Sequence, residues 1–531
     1  MLNLLLFSCA RVGAPNGGTR DSLAPKFLGS NIDTTRLNVS RTVKELRLDF
    51  DEYVMLKDFN KNFNVSPPIK KIKKVIPSNL ANKYVLIQWE DTLQANTTYN
   101  FNFGNAIVDN NESNPLPYFN FAFSTGDKID DLFVSGTVKD AMTLIKENQT
   151  AKDNKMVVGL YKAGENLDYK QKPDYITKVD EENYFELNFL PKGEFVIIAF
   201  DDENQNSVYD AGKEKVSFLK EKITLDSTSV RGLKLKLYPS KKVVKYKESK
   251  AINGGLLMTF EGNPETVEVK SLSEELKDFK VTHAKRSDSV NIWFDAEKSN
   301  LGGTVSKQVK LSYFTPTISD TISVSYKAVK DEFKLSNEAG NLIAPENNFV
   351  INTSLPIENL KTSSWKLESD SIAQDFTAKI SEKNPFKILV NSSFKPTKKY
   401  VLTIPKETVS SYYSSNDKSF QFQFEIDKPE NYGSFTAVIK NKPTAKFWVE
   451  LTNEKGEILY SQFTNASEVS FKNLKPATYI ARIRVDNNGN GFWDEADFAQ
   501  NIAAEDVYIF EKEINVRPLW EIKEDWELIN H

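Results

Sequence analysis

Cysteine and histidine are nearly absent from this chain of 531 residues. The only cysteine is Cys9, and the two histidines are His283 and the terminal His531. No disulfide can form within one chain, because a disulfide needs two thiols. The composition also argues against a Ser-His-Asp or Cys-His catalytic set and against a His-rich zinc site, since each of these needs histidine near specific partners.

The chain also lacks a surplus of charge of one sign and a long hydrophobic run. The formal net charge is -4 and the sequence pI is about 5.7, which is the opposite of the basic stripe that nucleic-acid-binding domains present. No stretch after the first residues reaches the roughly 18 consecutive apolar residues of a membrane-spanning helix. We therefore expect no nucleic-acid partner and no helix that crosses a membrane.

Aromatic residues are abundant, and they alternate with polar ones. Aromatics make up 12% of the chain, with 35 Phe and 20 Tyr. Three segments, 99–103, 119–123 and 420–424, place an aromatic or small apolar residue at every second position. This period of two is typical of strands with one buried face, and turn residues separate the strands at short intervals. The pattern predicts an all-β protein made of tandem antiparallel β-sandwiches.

Clusters of such strands predict five sandwiches in a row. The predicted layout is a lipoprotein signal over 1–8, a tether over 9–23, sandwiches over 24–127, 128–240, 251–343, 344–429 and 430–520, and a charged tail over 521–531. The Lys-rich segment 241–250 is interpreted either as a linker or as an exposed final strand of the second sandwich. Proline, glycine and polar residues at the junctions favour these boundaries.

The surroundings of Cys9 resemble a bacterial lipobox. Leu6, Phe7 and Ser8 precede the cysteine, which gives an aliphatic residue at the third position before it and a small residue next to it. The resemblance implies cleavage before Cys9, a diacylglycerol group on its thiol and an anchor in the outer membrane. The segment before Cys9 is short and has no Lys or Arg, so a start codon further upstream and a chance match both stay open. The absence of acidic residues in 10–13 favours the periplasmic face.

The first predicted sandwich resembles the S-layer-type bacterial Ig-like domain. The matching segments are Leu93 to Phe103, Ile107 to Leu116 and Phe121 to Gly126, with Ala95 in place of the usual proline and Ser113 in place of the usual glycine. A weaker similarity to the same pattern is present in 394–404 followed by 420–424. The resemblance implies Ig-like folds at both places, joined in one multi-module exported protein.

A second pattern occurs twice. The segments Leu190 to Asp210 and Leu474 to Asp494 align without a gap through an aliphatic strand into the motif D-x-N-x-N-x-x-x-D. Each segment belongs to a predicted sandwich that opens with a glycine and a β-run. These modules resemble the transthyretin-like, carboxypeptidase-regulatory-type sandwich.

The repeated motif predicts a calcium-binding loop. Asp and Asn side chains at positions 1, 3 and 5, a backbone carbonyl at 7 and acids at 9 and 12 supply the oxygen ligands that Ca²⁺ prefers. In the second copy these are Asp486, Asn488, Asn490, the Phe492 carbonyl, Asp494 and Asp497, and in the first they are Asp202, Asn204, Asn206, the Val208 carbonyl and Asp210.

The two loops differ at positions 6 and 12. Gly491 occupies the sharp turn of the second loop, whereas Ser207 and Lys213 replace the glycine and the last acid of the first, so that loop is expected to bind more weakly or to use Glu214. A hydrogen-bonded Asx-rich turn without metal is the alternative. Calcium, where bound, is expected to be structural.

Three functions remain open on the sequence. The leading hypothesis is a non-enzymatic, lipid-anchored scaffold or adaptor of the cell envelope that binds other envelope proteins or a membrane complex. The alternative is a lipoprotein that binds polysaccharide or peptide through sandwich loops, for which Trp493, within the second loop, is the candidate for an exposed ring. The third is a hydrolase with paired carboxylates, although no spacing singles out a pair. The terminal segment 517–528 could dock a partner.

Overall fold

The computed structural model describes residues 21–144, 155–164, 168–329 and 332–528. Cys9 and its signal lie outside the described residues, and so does most of the predicted tether. The described residues divide into two compact units, one within 21–139, 155–210 and 216–237 and the other within 140–144, 211–215 and 238–528. Among the described residues, five hydrophobic clusters form the cores of five β-sandwiches.

The first module packs two sheets around a core of phenylalanines that occupy every second position of their strands. Among them are Phe101, Phe103, Phe121 and Phe123. One sheet has the order β1-β2-β5-β4 with β7 paired to β2, and the other has the order β3-β6-β8. The elements are β1 (Phe27–Ser30), β2 (Glu45–Leu56), the short helix α1 (Phe59–Asn62), β3 (Asn64–Ser66), β4 (Ile72–Ile76), β5 (Asn82–Trp89), β6 (Thr98–Gly104), β7 (Ile107–Asp109) and β8 (Phe119–Ser124).

The second module is also a two-sheet sandwich in the first unit. Its sheets have the orders β11-β10-β13-β14, with β15 paired to β13, and β12-β9-β16. Nearly the whole of β13 is apolar because it lies in the middle of its sheet. The strands are β9 (Leu132–Asp140), β10 (Met156–Lys162), β11 (Tyr175–Lys178), β12 (Tyr184–Leu190), β13 (Gly193–Asp201), β14 (Val216–Phe218), β15 (Ile223–Leu225) and β16 (Val230–Leu237).

The third module opens the second unit. Its two sheets have the orders β17-β18-β21-β20 and β19-β22-β23, and every pairing is antiparallel. The strands are β17 (Lys245–Ile252), β18 (Gly255–Glu261), β19 (Glu268–Ser271), β20 (Lys280–His283), β21 (Ser289–Trp293), β22 (Lys307–Phe314) and β23 (Ser319–Tyr326).

The fourth module has the sheets β24-β26-β31-β30, β25-β34-β32-β28-β29 and the small pair β27-β33. The elements are β24 (Leu335–Asn337), β25 (Leu342–Ile343), β26 (Phe349–Thr353), β27 (Asn359–Leu360), the 3-10 helix η1 (Thr362–Ser364), β28 (Lys366–Ser369), β29 (Ile372–Ala373), β30 (Phe376–Ser381), β31 (Asn384–Ser392), β32 (Lys399–Ile404), β33 (Val409–Ser410) and β34 (Phe420–Ile426).

The fifth module repeats the topology of the second. Its sheets have the orders β37-β36-β39-β40, with β41 paired to β39, and β38-β35-β42. Strand for strand, this is the order found in the second module, so the duplication seen in the sequence extends to the sheets. The elements are the 3-10 helix η2 (Pro429–Asn431), β35 (Gly433–Lys440), β36 (Phe447–Thr452), β37 (Ile458–Thr464), β38 (Glu468–Leu474), β39 (Ala477–Val485), the 3-10 helix η3 (Phe498–Gln500), β40 (Val507–Ile509), β41 (Ile514–Val516) and β42 (Glu521–Glu527).

Two predicted boundaries are corrected by the strands. Most of the Lys-rich segment 241–250 belongs to β17, which starts at Lys245, so the third module begins before residue 251. The predicted charged tail 521–531 contains β42, which pairs in parallel with β35 and buries Trp526 in the fifth core. Both strands lie at the edge of a sheet, where one backbone edge and one face of the strand are exposed to water. Both strands are therefore rich in charged residues, and these conceal the alternation of apolar and polar residues in the sequence.

No helix in the described ranges is long and apolar enough to cross a membrane.

Candidate metal-binding loops

The second candidate loop begins where β39 ends. Asp486 follows the last strand residue, and its carboxylate accepts hydrogen bonds from the backbone N–H groups of Asn490 and Gly491, each at 3.0 Å. The side-chain oxygen of Asn488 accepts from the same Asn490 N–H at 3.0 Å, and that of Asn490 accepts from Phe492 N–H at 2.8 Å. Asp486 is only 3% exposed, so these bonds fold the loop around a buried carboxylate.

The first candidate loop has the same hydrogen bonds at equivalent residues. Asp202, which is 4% exposed, accepts from the N–H groups of Asn206 and Ser207, each at 3.0 Å. Asn204 accepts from Asn206 N–H at 3.0 Å, and Asn206 accepts from Val208 N–H at 2.6 Å. The repeated sequence motif therefore forms one repeated loop geometry.

The fourth and sixth positions of both loops have left-handed backbone conformations. In the second loop glycine supplies them, with φ of 73° at Gly489 and 82° at Gly491. In the first loop Gln205 and Ser207 adopt φ of 58° and 61°. A residue with a Cβ is less stable in this region than glycine, so the first loop keeps the same fold at a higher conformational cost.

Asp494 and Asp210, at position 9, close their loops. The amide nitrogen of Asn204 donates to Asp210 at 2.5 Å, and the amide nitrogen of Asn488 donates to Asp494 at the same distance. Asn490 also donates to Asp494, at 2.7 Å. Burial raises the pKa of the Asp494 carboxyl, but the hydrogen bonds from Asn488, Arg286 and Asn490 outweigh it and hold the pKa below its ordinary value.

Asp497, the predicted ligand at position 12, does not join this network. Its carboxylate accepts a hydrogen bond from Gln500 N–H at 3.2 Å and thereby caps the short helix η3. Asp and Asn favour such cap positions because they satisfy a free backbone N–H. Asp497 thus caps η3 through one carboxylate oxygen, and its role as a ligand at position 12 stays a prediction.

Glu505 stabilises the second loop through hydrogen bonds to its backbone. The spacing of residues in the sequence gave no indication of this role. Its side chain is buried, and its two carboxylate oxygens accept from the N–H groups of Asn488 at 3.1 Å and Asp494 at 2.9 Å. Burial raises the pKa of this carboxyl above its ordinary value. The residue lies in the irregular segment before β40, so no periodic signal in the sequence marks it.

The second loop also contacts the third module. Arg286 donates to Asp494 at 2.7 Å and to Glu265 at 2.6 Å, and its guanidinium lies 4.6 Å from the ring centre of Phe492. Trp493, considered as a possible exposed ring, is of intermediate exposure, and its indole N–H donates to the Glu505 carbonyl at 3.1 Å. The loop is therefore held by side chains of two modules.

The donor chemistry of both loops fits a hard cation. Asp486, Asn488, Asn490 and Asp494 present side-chain oxygens, and each Asp486 oxygen retains a lone pair after accepting one N–H. Both amides direct their nitrogens toward Asp494, and turning their oxygens there would break the hydrogen bonds that these oxygens accept from the N–H groups of Asn490 and Phe492. No group of three or more His, Cys, Asp or Glu side chains in the described residues could hold a metal, so any site here depends on Asn and carbonyl oxygens.

The first loop offers a cation the oxygen donors of Asp202, Asn204, Asn206, the Val208 carbonyl and Asp210. Glu214, considered as a further ligand, is 2% exposed and belongs to the second compact unit, where its backbone carbonyl accepts from the Ser240 hydroxyl at 2.7 Å. The use of the Glu214 side chain by the first loop stays a prediction.

In a third acidic loop, after β7, the loop's own backbone supplies the hydrogen-bond donors for its central carboxylate. The Asp109 carboxylate accepts four backbone N–H groups, from residues 111, 112, 113 and 114, at 2.7 to 3.1 Å. Ser113, at the position where the Ig-like pattern has glycine, adopts a left-handed φ of 63°. The loop needs no metal to close.

Residues 21–125 match the family model of the bacterial Ig-like domain. The described chain is a multi-module all-β protein that begins with this Ig-like module. No protein of curated function matches the sequence.

Several solved structures of other proteins match this chain at low similarity. The S-layer protein rSbsC(31-844) is 12% identical with a TM-score of 0.15, over 93% of this chain and 67% of that one. SGBP-B of the Bacteroides ovatus mixed-linkage glucan utilization locus, solved with a heptasaccharide, is 9% identical with a TM-score of 0.22, over 74% and 97%. BcpA, the major pilin subunit of Bacillus cereus, is 12% identical with a TM-score of 0.13, over 75% and 99%. Similarity at this level carries no argument about function.

Proposed function

We propose that this protein is a non-enzymatic scaffold or adaptor of the bacterial cell envelope, anchored in the outer membrane through Cys9 and stiffened by calcium. The observation that carries the proposal is the duplicated module with its repeated Asp/Asn loop, one copy in each compact unit. The position of the bacterial Ig-like domain at the start of five sandwiches supports an extracytoplasmic role.

Calcium would act in these loops as a structural ion. The residues that would hold it are Asp486, Asn488, Asn490, the Phe492 carbonyl and Asp494, with the equivalent set in the first loop. A cation that binds the folded loop and not the unfolded chain stabilises the fold by linkage, by roughly 3 kcal/mol at a hundredfold excess over its dissociation constant. The buried Asp486 already holds the loop backbone in one conformation, which reduces the ordering needed for binding.

The non-enzymatic part of the proposal is supported by the lack of an assembled catalytic set among the described residues. His283, the only histidine there, is bound through its ring nitrogen to the Ser287 carbonyl at 3.1 Å in a turn of the third module. Asp494 and Glu505, two of the carboxylates with shifted pKa values at the second loop, accept hydrogen bonds from backbone and side-chain donors of that loop and from Arg286. Their hydrogen bonds serve loop architecture.

Thermal unfolding with and without calcium tests the metal. Wild-type protein is expected to melt at a higher temperature in calcium than in excess chelator, and Asp486→Ala combined with Asp494→Ala is expected to abolish the part of this shift that the fifth module contributes. Asp497→Ala is the comparison variant, because it removes the η3 cap and leaves the loop ligands at positions 1 and 9 in place. A wild-type protein that melts identically in calcium and chelator would exclude the metal.

A comparison of wild-type protein with Cys9→Ser tests the anchor and the partners. Labelling with a clickable fatty acid should mark the wild type in the outer-membrane fraction and leave Cys9→Ser unmarked and released. Mild-detergent pull-down of the wild type in calcium should then recover envelope proteins in fixed stoichiometry, on the periplasmic side of the membrane. Recovery of the wild type without any partner would count against the scaffold. Labelling of Cys9→Ser would count against the lipid anchor at Cys9.

A further inference from the structure

The first compact unit contains a polar cleft between its two modules. The cleft has a volume of about 1370 Å³, and asparagine is the most frequent residue type in its lining. Strand β3 of the Ig-like module lies against β11, and β6 lies against β12. The backbone N–H of Ile176 donates to the buried Ser66 hydroxyl at 3.2 Å, which joins the two walls at the base.

One wall of the cleft is a row of asparagines across three strands. Asn64 on β3 is the register partner of Asn102 on β6, and Asn102 is the partner of Asn120 on β8. Their side chains leave the sheet on the side opposite the core residues Phe101 and Phe121, because successive strand residues point to opposite faces. Asparagine is depleted in strands, so a row of three in register is unusual. Asn102 also accepts the Gly104 N–H at 2.8 Å, and Asn120 donates to the Tyr118 carbonyl at 2.9 Å, so two of the three side chains are held in defined orientations.

Some of these amides have unused hydrogen-bonding capacity. The side-chain oxygens of Asn64, Asn100 and Asn120 are buried and accept no hydrogen bond from any residue in the described ranges, and Asn100 as a whole is 7% exposed. Buried polar atoms in proteins nearly always have a partner. Asn64 and Asn120 line the cleft itself, and a side-chain rotation that brings their buried oxygens to its surface would let the hydroxyl donors of a ligand supply the missing bonds.

The opposite wall holds an oriented carboxylate. Glu186 on β12 accepts from the Tyr184 hydroxyl at 2.6 Å and from the Asn188 amide at 2.9 Å, one bond to each carboxylate oxygen. These two bonds fix the rotamer of Glu186 and leave lone pairs on both oxygens. A carboxylate held in this way accepts hydrogen bonds strongly and with defined direction.

An exposed tyrosine lies at the rim. The Tyr118 side chain is 68% exposed, and its backbone adopts a left-handed φ of 51°, which is uncommon for a bulky residue. Its N–H donates to the Asn105 side chain at 3.1 Å, and this bond helps to hold the turn. The flat ring therefore borders the cleft without being part of the core.

We propose that this cleft binds a neutral oligosaccharide. Amides of Asn64, Asn102 and Asn120 would bond its hydroxyl groups, Glu186 would accept further hydroxyl donors, and the Tyr118 ring would cover an apolar sugar face. The cleft exceeds the roughly 300–1,000 Å³ of sites for small ligands and therefore suits a chain of several sugars. Carboxylates outnumber lysines in its lining, which disfavours polyanions. Extended peptides bind mainly along sheet edges through main-chain bonds, whereas this wall presents a sheet face.

A glycan array probed with the whole chain tests the proposal. The probes are neutral hexasaccharides of glucose, mannose, xylose and galactose, with a library of unstructured peptides on the same support. We expect at least one hexasaccharide to bind. Titration calorimetry should then show about tenfold weaker binding for Tyr118→Ala and for Asn102→Ala combined with Asn120→Ala.

Tyr53→Ala is the matched control, because Tyr53 is an exposed tyrosine of the same module outside the cleft. It should bind like the wild type, and a high-salt buffer should leave the affinity unchanged because the ligand is neutral. Failure of every hexasaccharide, equal binding by the cleft variants, or peptide binding that these variants abolish would each overturn the proposal. The test is independent of the lipid anchor and of calcium, so its failure leaves the scaffold function standing.

Discussion

Arg286 Nη1 donates to Asp494 Oδ1 at 2.7 Å, so a side chain of the third module engages the ninth position of the fifth module's candidate metal loop. The same guanidinium is paired with Glu265 at 2.6 Å and faces the Phe492 ring. Asp494 thus belongs at once to the loop and to an ion pair between modules. Any cation that enters the loop must share this carboxylate with Arg286.

The pair predicts how the affinity for calcium will respond to Arg286→Ala. A unit positive charge about 6 Å from a doubly charged ion opposes binding by about 1.4 kcal/mol in a medium of dielectric constant about 80. Removal of the guanidinium should therefore tighten calcium binding by the second loop about tenfold. Titration calorimetry of the whole chain measures this change.

Arg47→Ala is the control for that titration. Arg47 forms an exposed pair with Asp49 in the other compact unit, so its removal changes the net charge equally without touching the loop. Weaker calcium binding by Arg286→Ala would show instead that Arg286 positions Asp494 for the ion.

The left-handed positions of the loops predict opposite effects of two substitutions. An added Cβ at Gly491 meets no atom within 4 Å, so Gly491→Ala changes only the conformational preference. It should destabilise the closed loop by about 1 kcal/mol. Ser207→Gly should stabilise the closed first loop by somewhat less than this amount. The gain is smaller because glycine also increases the conformational entropy of the open loop.

Amide hydrogen exchange of the loops measures both effects. The N–H groups of Asn490 and Gly491 are protected by Asp486, and those of Asn206 and Ser207 by Asp202. Exchange of the second loop should become about fivefold faster in Gly491→Ala, and exchange of the first should become slower in Ser207→Gly. Unchanged exchange in both variants would mean that backbone strain does not limit loop opening.

The sequence predicted what depends on local spacing and missed what depends on distant partners. Alternating aromatics indicated the sandwiches, and the gapless Asp/Asn motif indicated a loop whose hydrogen bonds indeed repeat in two modules. Glu505 and Arg286 act on the second loop from another segment and another module, and no spacing rule connects them to Asp486. Strand β42 was missed because its charged residues at a sheet edge conceal the alternation, and because its parallel partner β35 lies about 85 residues earlier in the chain.

A buried ion triad in the fifth module predicts a large loss of stability in Glu450→Gln. Glu450 is fully buried on β36, and Arg482 donates to it at 2.9 and 2.6 Å while Arg484 donates to its other oxygen. Removal of the shared carboxylate charge leaves two guanidinium groups facing each other in a partly buried place. The expected cost is about 3–5 kcal/mol.

Urea unfolding followed by pulsed hydrogen exchange of peptides from 447–485 resolves this module from the others. Glu457→Gln is the control, because Glu457 lies on an exposed hairpin of the same module. Replacement of all three ionic residues, as Glu450→Gln with Arg482→Met and Arg484→Met, should recover much of the loss. If Glu450→Gln costs no more than Glu457→Gln, the triad is not a stabilising element.

The Asp109 loop predicts a stability of the Ig-like module that depends on pH. Burial raises the pKa of this carboxyl, but the backbone hydrogen bonds from Glu112, Asn114, Asn111 and Ser113 outweigh it and lower the pKa in the folded state. A folded pKa below the unfolded value means that the stabilisation is fully present above the unfolded pKa of about 3.9 and is lost as the pH falls through the folded pKa. The module should therefore weaken in acid because protonation removes the acceptor of four N–H groups.

Asp109→Asn separates this carboxyl from the other acids of the module. At pH 7 the variant should be less stable than the wild type by about 2 kcal/mol, since hydrogen bonds to a charged group contribute about 1.5–3 kcal/mol and an amide offers only one acceptor atom. The difference should shrink as the pH falls below about 3.9, because the wild type then also loses its charge. Urea unfolding at both pH values, followed by pulsed hydrogen exchange of peptides from 99–125, measures the difference. A gap between wild type and variant that stays constant from neutral pH to acid would show that the shape of the side chain, and not its charge, holds the loop.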